Sequence, residues 1–245
     1  MPGGEPQGTE SKKVLKMYIL APSLLAADFN ILGRQIEETE RAGAAYLHID
    51  VMDGTFVPSI SFGMPLIESI RQTSRQFFDV HLMIMHPERH IRKFVECGAD
   101  GITFHLEAAE DADEIIECIH SCGAQAGISI KPQTPIEAVY PYLSRVEMIL
   151  VMSVEPGAGG QPFMPEAYHR IRRLRNYIDE HDLPVKIEVD GGVGKKNVRE
   201  IIDAGADIFV AGSAVFKKRS ISSNISQFMQ AFKEKEGRTK HGKDR

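Results

Sequence analysis

One short phrase recurs four times in the chain: Ala42-Gly43-Ala44, Cys97-Gly98-Ala99-Asp100, Cys122-Gly123-Ala124 and Ala204-Gly205-Ala206-Asp207. Each copy follows a run with helical periodicity and precedes a strand-like run. Glycine there ends a helix in the left-handed conformation, and its small neighbour lets the next element pack closely. A helix stop followed each time by a strand is the mark of a βα repeat.

The rest of the chain reads the same way. Strands are expected over residues 17–21, 45–51, 77–82, 101–104, 124–130, 148–152, 185–189 and 208–211. Helices are expected over 29–42 (capped by Asp28), 65–73, 87–97, 111–121, 135–143, 165–180, 197–204 and about 220–232. Pro65, Pro87, Pro135 and Pro165 stand at helix starts, where the missing N–H costs nothing. Eight strands alternating with eight helices predict an α/β fold, a closed (β/α)8 TIM barrel, for which 245 residues is an ordinary length.

One domain is expected over 17–232, after a disordered lead at 1–16 and before a solvated basic tail at 233–245. The net charge of −5 gives no electrostatic reason to expect nucleic acid. No apolar run approaches the ~18 residues that span a bilayer, so no membrane is expected. The first residues have no apolar core of an export signal. Cys97, Cys118 and Cys122 are an odd, sparse set suited to packing in a reducing compartment, and the expected location is the cytoplasm.

Three strands have an unusual second face. In 46–52, Leu47, Ile49 and Val51 alternate with Tyr46, His48, Asp50 and Met52. In 77–83, Phe78, Val80 and Leu82 alternate with Asp79, His81 and Met83. In 185–190, Val185, Ile187 and Val189 alternate with Lys186, Glu188 and Asp190. A barrel of this kind carries its active site at the carboxyl ends of its strands. Ligand-type residues there are His48, Asp50, His81 and Asp190. Imidazole and carboxylate without thiolate suit one divalent ion per chain, Zn2+, Fe2+, Mn2+ or Co2+. The competing reading is that these groups pair with one another inside the barrel. His105 follows the fourth strand, but its spacing does not mark it as a ligand.

Glycines cluster at the last three strand ends, as Gly157-Ala158-Gly159-Gly160, Gly191-Gly192 and Gly212-Ser213. The loops after strands seven and eight are this fold's usual phosphate cradle, where glycine lets backbone N–H groups approach an anion. Met52, Met83 and Met152 also stand at strand ends, as core filler or as an apolar lining beside the metal.

Leu20-Ala21-Pro22-Ser23-Leu24, the run from His48 to Pro58 (HIDVMDGTFVP), Phe78-Asp79-Val80-His81-Leu82-Met83, Glu155-Pro156-Gly157 and Glu188-Val189-Asp190-Gly191-Gly192-Val193 together resemble the ribulose-phosphate 3-epimerase family. The resemblance implies a metal-dependent interconversion of D-ribulose 5-phosphate and D-xylulose 5-phosphate in the pentose phosphate pathway. It implies metal ligands at His48, Asp50, His81 and Asp190, with Asp50 and Asp190 doubling as the acid/base pair. It implies substrate contacts at Ser23, His48, His81, Gly157, Ala158, Gly159, Gly160, Asp190, Gly191, Gly192, Gly212 and Ser213. The chain departs from the family at Ala158, where an aromatic residue often stands in a loop that covers the substrate. The expected partners are a sugar phosphate and further copies of the chain, in a dimer or hexamer. Two rival readings are a hexulose-phosphate epimerase, such as one acting on allulose 6-phosphate, and a catalytically retired sugar-phosphate-binding barrel.

Overall fold

The computed structural model describes residues 17–217 and 220–241. Eight strands follow one another as β1 (Ile19–Pro22), β2 (Tyr46–Met52), β3 (Phe77–Met83), β4 (Gly101–His105), β5 (Gln125–Ile130), β6 (Met148–Met152), β7 (Lys186–Asp190) and β8 (Ile208–Ala211). From β2 to β8 each strand pairs in parallel with the next in sequence, and β8 pairs back onto β1. A parallel bridge between Ser23 and His48 joins β1 to β2 and completes the ring. The expected (β/α)8 barrel is the observed fold.

The helices are α1 (Leu32–Arg41), α2 (Met64–Arg71), α3 (Ile91–Glu96), α4 (Ala112–Ser121), α5 (Glu166–Glu180), α6 (Val198–Ala204), α7 (Ser213–Phe216) and α8 (Ile221–His241). The segments expected as helices over 29–42 and 87–97 begin as 3-10 turns, Phe29–Ile31 and Pro87–Arg89, before α1 and α3, and three further elements differ from the sequence reading. The segment expected as a helix over 135–143 is a 3-10 helix, Ile136–Tyr142, with Pro141 inside it. Proline supplies no N–H and its ring crowds the carbonyl four residues back, which disfavours α-helix there. A short extra helix, α7, begins directly after Gly212. The last helix does not stop near Phe232 but runs to His241, so the expected solvated tail is helical over 233–241. The expected lead at 1–16 lies outside the described residues.

The outward strand residues Leu47, Ile49, Phe78, Val80, Ile187 and Val189 are wholly buried in the main apolar cluster. They pack there with helical residues including Ile36, Ile67, Ile171 and Leu174. Smaller apolar groups fill the ring's interior, Ala21, Met148, Ile208 and Val210 in one and Leu150, Met152 and Val154 in another. Burial of the outward faces fixes the register, and with it the inward direction of His48, Asp50, His81 and Asp190.

The repeated phrase is a structural device. Gly43, Gly98, Gly123 and Gly205 all have positive φ, from 87° to 114°. In two copies the same contacts recur. A Cβ on Gly98 would stand 2.5 Å from Arg71 Cδ, and one on Gly205 2.6 Å from Arg175 Cγ. Arg71 binds the Asp100 carboxylate, which also accepts the Phe78 backbone N–H at 2.7 Å. Arg175 binds the Asp207 carboxylate, which accepts the Ile187 N–H at 2.9 Å. Helix α2 is thereby tied to the start of β3, and α5 to the start of β7, at the face remote from the strand ends that carry the histidines.

Candidate active site

Strands β2 and β3 pair with Asp50 opposite His81 and Met52 opposite Met83. Strands β6 and β7 pair with Met152 opposite Asp190. One donor atom each from His48, Asp50, His81 and Asp190 lies within 4.8 Å of the others. The Asp50 carboxylate stands at the centre of this group. Its Oδ1 is 3.2 Å from both His48 Nε2 and His81 Nδ1, and its Oδ2 accepts the Ser23 hydroxyl at 2.7 Å.

Two observations test whether a divalent ion fits. The donor set is two imidazoles and two carboxylates, a mixture suited to Zn2+, Mn2+, Fe2+ or Co2+. His48 Nε2 is buried and has no hydrogen-bond partner, although it points at the cluster. An orphaned buried nitrogen is costly unless something takes its lone pair, and a metal ion does so. The residues fit the ion.

Behind the donors stands a second layer of polar groups, buried except for Glu107, that the sequence reading did not assign a role. His48 Nδ1 is 2.6 Å from Asp79 Oδ2 and 3.7 Å from Glu188 Oε1. Burial, then the neighbouring Asp79 charge, pushes the Glu188 carboxyl well above its usual range. His81 Nε2 is 3.0 Å from His105 Nε2, and His105 Nδ1 is 3.3 Å from Glu107 Oε2. Burial lowers the His105 pKa to about 4, so that imidazole is neutral at ordinary pH. A signal for Asp79 and Glu188 existed in the sequence, since each sits two residues before a ligand-type residue on the same strand face. His105 and Glu107 gave a weaker one, a two-residue spacing across the end of β4.

The two aspartates are driven apart. Burial raises the Asp50 pKa, but in the metal-free protein the neighbouring His48 and His81 imidazoles outweigh it and hold the carboxyl well below its usual range. Asp190 is pushed up to about 6, by burial first and by the Asp50 charge second.

A cavity of ≈ 570 Å3 opens above the cluster. Its walls include Ser23, Asp50, Asp190, the methionines Met52, Met83 and Met152, the loop residues Gly157, Ala158, Gly159 and Gly160, and Gly191, Gly192, Gly212 and Ser213. Lys195, Lys196 and Lys217 also border it, cations that the sequence reading passed over. His48 and His81 are wholly buried behind Asp50 rather than on the wall. Gly192 is required where it stands. Its φ is +62°, and a Cβ there would lie 2.4 Å from the Phe163 backbone nitrogen and 2.9 Å from the Gln161 carbonyl oxygen. Only glycine lets the strand β7 end and the end of the 157–163 loop meet this closely.

Fold and site together define a class, a (β/α)8 barrel whose mouth joins a divalent-metal donor set to a glycine-walled cavity. Within it, the chain belongs to the ribulose-phosphate 3-epimerase family, which matches residues 19–216. The chain is similar to the ribulose-phosphate 3-epimerase of Synechocystis sp., at 42% identity over 213 residues covering 86% of this chain and 93% of that one. It is similar to the cytoplasmic isoform of Oryza sativa subsp. japonica, at 42% identity over 80% of this chain and 86% of that one. Among solved structures, the thiamine phosphate pyrophosphorylase of Pyrococcus furiosus shares the fold with a TM-score of 0.60 at 14% identity, over 90% of this chain and 97% of that one. Among the described residues, no helix is long and apolar enough to cross a membrane.

Proposed function

We propose that the chain interconverts D-ribulose 5-phosphate and D-xylulose 5-phosphate by epimerisation at C3, as a metal-dependent enzyme of the pentose phosphate pathway. The observation that carries this reading is the pair Asp50 and Asp190. They stand on different strands, β2 and β7, and both border the one cavity above the donor cluster. Epimerising a carbon beside a ketone needs a base that removes its proton and an acid that returns one to the other face. Asp50, kept ionised by His48, His81 and the Ser23 hydroxyl, suits removal of the ribulose C3 proton. Asp190, which reaches the same cavity from β7, suits donation to the opposite face of the planar enediolate.

One divalent ion held by His48, Asp50, His81 and Asp190 would supply Lewis-acid stabilisation of negative charge on the substrate oxygens. The methionines Met52, Met83 and Met152 exclude water from the reacting carbon. Backbone groups at Gly191, Gly192, Gly212 and Ser213 suit the phosphate, with Gly157, Ala158, Gly159 and Gly160 over the sugar. The enzyme is further proposed to be cytoplasmic, the compartment named for the rice relative, and to work as a homo-oligomer.

Reaction in heavy water tests the scheme. Deuterium should enter C3 of the product from solvent, while substrate labelled at C3 should pass little label to product. Substantial direct transfer of the substrate's own label rules out two separate acid/base residues. Turnover of allulose 6-phosphate above that of ribulose 5-phosphate would favour the hexulose reading instead.

A further inference from the structure

We infer that His105 and Glu107 are positioning residues for His81: Glu107 fixes the His105 tautomer, and His105 accepts the N–H that His81 must carry on Nε2 when its Nδ1 holds a divalent ion. The inference rests on the four-ligand centre proposed above.

The argument follows the protons. His81 Nδ1 faces Asp50 Oδ1 at 3.2 Å, so Nδ1 is the nitrogen on the side of the donor cluster. A ligating nitrogen must be bare, and a neutral imidazole carries one N–H. That N–H is therefore on His81 Nε2, which is 3.0 Å from His105 Nε2. Two ring nitrogens at that distance attract only if one is bare. His105 must then carry its own proton on Nδ1, which faces Glu107 Oε2 at 3.3 Å. Each proton position forces the next.

The surroundings hold this chain in place. His105 is wholly buried, so bulk water does not stand in as an acceptor for His81. The Phe56 ring lies against His105 at 4.7 Å between centroids, and the Lys131 ammonium sits 3.9 Å from the centre of Phe56. Glu107 Oε1 is occupied by the Lys131 backbone N–H at 2.7 Å and by the Thr134 hydroxyl, which leaves Oε2 for His105. Metal-ligating histidines usually give their second N–H to a carboxylate or a carbonyl. His48 follows that habit with Asp79 at 2.6 Å. His81 instead reaches its carboxylate through a second imidazole.

The test uses Co2+ as the probe, added to the metal-stripped full-length protein, with affinity read by chelator competition and ligand geometry by the visible absorption of the bound ion. His105→Leu should weaken Co2+ binding by about 10–100-fold and alter the spectrum. His105→Gln places an amide oxygen where Nε2 stands and should restore affinity to within a few-fold. Glu107→Gln should weaken binding too, and adding it to His105→Leu should cost nothing further, because Glu107 acts through His105. Equal Co2+ affinity and spectrum in the parent and His105→Leu would overturn the inference, as would additive losses in the double variant. If His105→Leu does not fold, His105→Gln and Glu107→Gln decide it by the same measurements. A parent that binds no Co2+ would instead refute the metal centre itself, and the inference with it.

Discussion

Asp50 and Asp190 carry the same functional group, and their surroundings drive them in opposite directions. Asp50 sits among two imidazoles and a hydroxyl that favour its anion, whereas Asp190 faces burial and the Asp50 charge. For Asp190 this has a measurable consequence in the metal-free protein. Between an unfolded value near 4 and a folded value of about 6, the folded chain holds the Asp190 proton more tightly than the unfolded chain. Stability from this group therefore falls as pH rises through that window and is level above it. Asp190→Asn cannot titrate, so metal-free Asp190→Asn should gain on the parent between pH 4.5 and 6.5. The expected gain is on the order of 1 kcal/mol, or about 2–4 °C in melting midpoint for a chain of this length. An unchanged difference between the two melting curves at both pH values would show that Asp190 is not held in its neutral form.

At the scale of elements, the two faces of the barrel use glycine for different ends. Gly205 closes α6 with φ +114° and packs on Arg175, far from the cavity. Gly192 leaves β7 with φ +62° and meets the 157–163 loop backbone at the cavity wall. Both positions strain an L side chain, by about 1–2 kcal/mol before any clash is counted. Gly205→Ala should therefore lower stability while leaving kcat and KM of the folded fraction close to those of the parent. Gly192→Ala should raise KM for the phosphorylated substrate at least several-fold, because the loop must back away from the strand end. Steady-state kinetics alongside denaturant unfolding separates the two, and an unchanged KM in Gly192→Ala would remove that strand end from the substrate site.

For the molecule as a whole, the open question raised by the sequence concerns residues 233–245. Helix α8 buries Phe228, Ala231 and Phe232 and then continues past them to His241. Beyond Phe232, Glu234 reaches Arg199 at 2.5 Å and Lys235 pairs with Asp203, both on or beside α6. Such exposed ion pairs stabilise by about 0–1 kcal/mol each. Removing residues 233–245 should cost at most a few degrees in melting midpoint and leave kcat/KM within a few-fold of the parent. Lost activity in a truncated chain that still melts cooperatively would show that this segment reaches the site or another copy of the chain.

The strand count, the barrel and the gathering of His48, Asp50, His81 and Asp190 at one end of it were legible in the sequence because each depends on a local period. A two-residue alternation decides which side chains share a strand face, and the left-handed glycines Gly43, Gly98, Gly123 and Gly205 mark the ends of four helices. The identity of the inward face followed once Leu47, Ile49, Val80 and Val189 were recognised as the face to be buried outward. Less legible were Pro141's effect on helix type and the continuation of α8, since exposed charged residues such as Glu234 and Lys235 carry no apolar period whether helical or not. The partners of His48 and His81 came only from the tertiary structure. Asp79 is 31 residues from His48, and His105 is 24 from His81. Which nitrogen faces the cluster and which faces the wall is set by the closure of the ring and the tilt of its strands, quantities to which no segment of the chain contributes alone.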